Sequence, residues 1–83
     1  MSHSEHAMVI CNRLTALGYA RHRKIRLYGE ELELVGDAGP DGDGFAIEGI
    51  ARKTGKLTHM RIPLHVVQTL RRELEVEELS RAV

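Results

Sequence analysis

The chain has 83 residues, 42% hydrophobic and 29% charged, with twelve basic residues balancing twelve acidic ones. That length allows one small domain, burying about 60–65% of the surface its unfolded form exposes, and the composition falls in the ordinary globular range, not the disordered one. Zero net charge excludes a global field that would gather nucleic acid or membrane.

Aromatic residues are limited to Tyr19, Tyr28 and Phe45, so aliphatic side chains must fill the core. Cys11 is the only cysteine, which rules out an intrachain disulfide and a disulfide-stapled secreted scaffold. The stretch Met1–His6 lacks the basic and then apolar pattern of a secretory leader. No apolar run approaches the roughly 20 residues of a spanning helix. The expectation is a soluble, cytoplasmic domain with no membrane partner.

Charge is distributed in blocks. Residues 1–29 and 51–72 are basic; 30–50 and 73–83 are acidic. Blocks of this kind either form patches or neutralise one another across paired strands.

In chain order, Ser2 with Glu5 three residues on makes a capping box, and Ser4 offers a second cap. Ala7, Ile10, Cys11, Leu14 and Leu17 follow at helical spacing. Gly18 supplies the stop, so the first helix is expected over about residues 5–17. Two alternating runs come next, 24–28 and 31–35, linked by Gly29-Glu30. Glycine first in a two-residue link suits a type II′ turn. That register sets Tyr28 opposite Glu31, Leu27 opposite Leu32, Arg26 opposite Glu33 and Ile25 opposite Leu34. It places every aliphatic on one face and a basic–acidic pair on the other.

Residues 36–44 hold four glycines and a proline and read as a loop. A second hairpin, Phe45–Arg52 with Leu57–Ile62, is expected to turn at Thr54-Gly55. Its register sets Ile47 against Ile62 and Glu48 against Arg61. Pro63 then opens a helix at the first helical position, with Val67, Leu70 and Leu74 facing inward. Val76, Leu79 and Val83 fall on nearly the opposite side of the same helix.

The order is α-β-β-β-β-α. It predicts an α+β fold, a four-stranded antiparallel sheet with two helices packed on one face, in one domain over residues 1–83. Residues 1–4 are expected to fray, and 76–83 either to fray or to enter an oligomer contact. Leu27, Leu32, Leu34, Ile47, Ile62, Val67 and Leu70 are the expected core.

Chemistry-bearing patterns are few. Asp37, Asp41, Gly42 and Glu48 match positions 1, 5, 6 and 12 of a calcium-binding loop. Gly39 and Pro40 occupy two of the positions between, the flanks read as strands, and Glu48 faces Arg61. The acidic hairpin loop is the better reading. His3 and His6 sit near a terminus, while His22, His59 and His65 lack partners at zinc-ligand spacing, so no metal or cofactor is expected. Cys11 lies on an apolar stripe, where cysteine behaves as a small hydrophobe. Ser2, Ser4 and Ser80 have no nucleophile-elbow setting. No catalytic residue is assigned, and the chain is not read as an enzyme.

Two surface readings stand. The first is a non-catalytic protein–protein interaction module, its partner itself or another protein, with Val76, Leu79 and Val83 as the oligomer contact. The alternative is a weak, sequence-tolerant nucleic-acid binder using Arg21, Arg23, Lys24, Arg52, Lys53 and Lys56. Two features oppose it: a net charge of zero and the scarcity of aromatics for bases to stack on.

Overall fold

The computed structural model describes residues 3–81, and the side chains of residues 6–79. Seven elements follow one another: α1 (His3–Ala16), β1 (Lys24–Leu27), β2 (Glu30–Leu34), β3 (Gly39–Asp41), β4 (Gly44–Ala51), β5 (Leu57–Arg61) and α2 (Leu64–Arg81). The fold is α+β, two helices with an antiparallel sheet of five strands, one strand more than the sequence indicates.

The extra strand is β3. Pro40 tolerates this position because β3 is a short outer strand whose free edge needs no N–H, and Gly42-Asp43 turns it back into β4. The central strand is β4. Ala46 pairs with both Gly39 of β3 and Arg61 of β5, and Gly49 with both Leu34 of β2 and Thr58 of β5. β2 and β3 therefore run end to end along one edge of β4, and β5 lies along the other. Between them Val35 to Ala38 face only Ile47 and Glu48. The surplus residues bulge, and the kink turns Ala38 into the core.

Both long hairpins differ from the expected register by two residues, and both differences begin at the turn. In the first, Leu27 pairs with Glu30, Arg26 with Glu31, Ile25 with Leu32 and Lys24 with Glu33. The linking pair is Tyr28-Gly29, with φ of 51° and 78°. Positive φ at both positions is the type I′ turn, which takes its glycine second rather than first. In the second, Ile47 pairs with Met60 and Glu48 with His59. Its loop spans residues 52–55, closed by the Ala51 N–H donating to the Lys56 carbonyl (3.0 Å). Gly55, at φ 69°, is the left-handed last residue of that loop. A shift of two residues leaves every side chain on its own face, so the expected core survives.

Leu27, Leu32, Leu34, Ile47, Ile62, Val67 and Leu70 are all buried, in one cluster with Ile10, Leu14 and Phe45. α1 and α2 thus pack on the same inner face. The sheet is curled, because the Tyr28 hydroxyl donates to the Arg61 carbonyl at 3.1 Å. In a flat sheet β1 and β5 would stand three strand spacings apart, about 14 Å, beyond the reach of a tyrosine. α1 ends in a Schellman motif: the Tyr19 N–H donates to Leu14 and the Gly18 N–H to Thr15. Leu17 is exposed there, not part of the inward stripe. The Ser2–Glu5 capping box lies outside the described side chains.

α2 runs unbroken to Arg81. The molecule measures 51 × 20 × 19 Å, with a radius of gyration of 14.0 Å, against about 12 Å for a globule of this length. Its two ends carry the surfaces of interest.

Candidate functional site

One end is the far half of α2. The first half of the helix is held by Val67 and Leu70 in the core. Arg71 then lines a cavity with His6, Asp43, Gly44 and Phe45, so at Arg71 the helix lies at the β3–β4 turn. Its next turns touch α1: Arg13 pairs with Glu77 and Glu73, and His6 approaches Glu78 at 3.5 Å. These pairs hold one side of the helix. The opposite side presents Val76 and Leu79, 61% and 70% exposed. Glu75, which also lines a small cavity with His6, Ile10 and Leu74, sits one turn before Leu79, and Arg72 one turn before Val76, so Val76 and Leu79 form an apolar stripe flanked by one acidic and one basic residue. Val83 lies outside the described residues.

The other end, past the last residue of β4, is built by two hairpin tips. Glu31 of β2 stands between two guanidiniums, 2.7 Å from Arg52 and 3.5 Å from Arg26. The hydrogen bond from Arg52, with the attraction of Arg52, Arg26 and Lys24, holds the Glu31 carboxyl below its usual value. Arg26 is therefore paired with Glu31 rather than with Glu33. Two shallow grooves of about 620 and 650 Å³ share Arg26, Glu31 and Arg52 as a common wall. Their apolar parts include Ile50 and Leu57, both exposed on the outer face of the sheet. Side by side, with that wall between them, the two grooves make up the trough at the tips, Lys24 lining one and Lys53 and Lys56 the other.

Of the six cations read as a nucleic-acid patch, Lys24, Arg52, Lys53 and Lys56 line this trough. Arg21 and Arg23 do not. They precede β1, where the Arg23 carbonyl accepts the Leu34 N–H and the Arg21 N–H is held by Asp37. From Arg23 to Arg26 the strand advances about 10 Å. The chain therefore has a split basic surface, its larger part at the hairpin tips.

The acidic segment 36–44 is directed at its own neighbours. Asp41 lies 3.2 Å from His59 and 3.9 Å from Arg61, Glu48 lies 3.8 Å from the other nitrogen of His59, and Asp43 bonds Arg61 at 3.0 Å. The bond from Arg61 pulls the Asp43 carboxyl below its usual value. Arg61, expected opposite Glu48, instead fastens the β3–β4 turn to β5. With Asp37 bonded to the Arg21 backbone, each of the four carboxylates is engaged by a neighbouring basic side chain or backbone N–H. Among the described residues no group of three or more His, Cys, Asp or Glu is placed to hold a metal ion. Cys11 packs against the core, and burial pushes its thiol up, away from the reactive thiolate. No helix among the described residues is long and apolar enough to cross a membrane.

Leu57 and Glu75 are the two surface residues that periodicity did not single out. The signal was available in each case. Leu57 alternates onto the outer face with Ile50, and Glu75 lies one turn from Leu79. No protein-family model matches the chain, and comparison with curated proteins and with solved structures finds no match.

Proposed function

We propose that the chain is a non-catalytic protein–protein interaction module, acting in the cytoplasm, that associates with itself. The observation that carries this reading is the far half of α2, where Val76 and Leu79 stand in solvent on a helix paired with α1 through Arg13. Each such side chain forfeits about 1.5–3 kcal/mol relative to full burial. A domain of this size has little core with which to offset that loss. Association covers the stripe.

The test is light scattering across a dilution series for the parent and for Leu79→Glu. The reading expects a parent of two-copy mass and a variant reduced to one. A parent that stays single at every concentration contradicts self-association. The alternative, nucleic-acid binding, draws on Lys53 and Lys56, for which no ion pair occurs among the described side chains. A single-copy parent retained on immobilised oligonucleotide, and released by salt, would favour it.

A further inference from the structure

The geometry points to the trough between the hairpin tips as the place where α2 of a second copy docks, through Glu75, Val76 and Leu79. This rests on the reading of the chain as a self-associating module and names the two surfaces that meet.

Complementary chemistry is the first support. The stripe is apolar at Val76 and Leu79, with Glu75 on one flank and Arg72 one turn before Val76. The trough is apolar at Ile50 in one groove and Leu57 in the other, and the second groove carries Lys53 and Lys56 on its rim beside Glu30 and Glu31. Charges of one sign facing each other oppose association, while opposite charges favour encounter and register.

Placement is the second support. The stripe belongs to the β3–β4 end of the molecule, since Arg71 and His6 both line the cavity at Gly42, Asp43 and Gly44. The trough lies past the other end of β4. Eight residues of strand separate those ends, roughly 27 Å at the usual rise, within a body 51 Å long. A stripe and a trough at opposite ends of one chain cannot meet each other. Two chains laid antiparallel, with both surfaces facing the seam, would bring each stripe to the other's trough. A two-fold axis then closes both contacts at once and leaves none open for growth.

The experiment uses three full-length proteins: the parent, Lys53→Glu with Lys56→Glu, and Leu79→Glu. All three altered residues are exposed, so the variants are expected to melt with the parent at low concentration. Mass is measured by sedimentation for each alone and for the two variants mixed. The expected results are a parent pair and at least about tenfold weaker pairing in each variant. The mixture should pair more tightly than either variant alone, because the lysine variant keeps its stripe and the leucine variant its trough. Added salt should weaken the parent pair through screening of the contact.

If the lysine variant pairs as well as the parent while Leu79→Glu does not, the trough assignment is wrong and the interaction reading survives. A mixture no better than its components also overturns the assignment, as does a parent that grows into larger species. A parent that never pairs removes both.

Discussion

The two halves of α2 hold the same residue types in opposite environments. Val67 is 1% exposed and Val76 is 61%; Leu70 is 5% and Leu79 is 70%. Each pair is nine residues apart, two and a half helical turns, so the second member points away from the first. The sheet lies under the first half. By Leu74, only partly buried, the helix has passed the core and is held by Arg13 and His6 of α1. Hydrophobic type alone therefore says little. What decides burial is the angle around the helix and how far the sheet extends beneath it.

The sharpest way to break the comparison is to truncate a matched pair. Leu70→Ala should cost about 2–5 kcal/mol, the range for a fully packed leucine, and lower the melting temperature accordingly. Leu79→Ala, measured dilute enough that chains are single, should stay within about 0.5 kcal/mol of the parent, as surface substitutions do. Equal losses at the two positions would mean that the far half is packed after all.

A smaller effect separates the sheet's charged fastenings from the helix. The folded carboxyls of Glu31 and Asp43 lie below their ordinary 4.5 and 3.8, held by hydrogen bonds from Arg52 and Arg61 respectively. A group whose pKa is lowered on folding contributes stability above its unfolded value. That contribution is lost as pH falls through the folded one. The melting temperature should therefore hold from neutral pH down to the ordinary carboxylate range and decline below it. Glu31→Gln should flatten the decline, and an unchanged slope would show that this fastening adds nothing. Both groups are exposed, so solvent screening keeps the effect modest.

The smallest effect is expected at Arg13. Removing it should leave the global melting temperature nearly unchanged while speeding amide exchange in residues 73–79, because it ties only the far half of α2 to α1. A global loss of stability would place Arg13 in the core's support instead.

How much of this was legible in the sequence follows from the same contrast between period and position. Period-2 alternation put Leu27, Leu32, Leu34 and Ile47 on the correct face, and helical spacing put Val67 and Leu70 inward and Val76 and Leu79 outward. Registers were not legible, because they are set by turn geometry. Gly29 serves as the second residue of a type I′ turn at the expense of a left-handed Tyr28, and Gly55 closes a four-residue loop. Either glycine is compatible with two turns, and alternation is indifferent to a slip of two. β3 escaped notice because Gly39-Pro40-Asp41 has the composition of a loop, and only its pairing with β4 makes it a strand. The trough is a product of these same details. Its wall, Arg26–Glu31–Arg52, exists only in the observed register.

The central claim is that the far half of α2 is a docking surface, and backbone amide exchange read at several protein concentrations tests it most directly. At high concentration the parent should show slower exchange across residues 75–81, with residues 64–72 unchanged. Dilution, or Leu79→Glu, should abolish that added protection. Exchange in residues 75–81 that is independent of concentration would contradict the account.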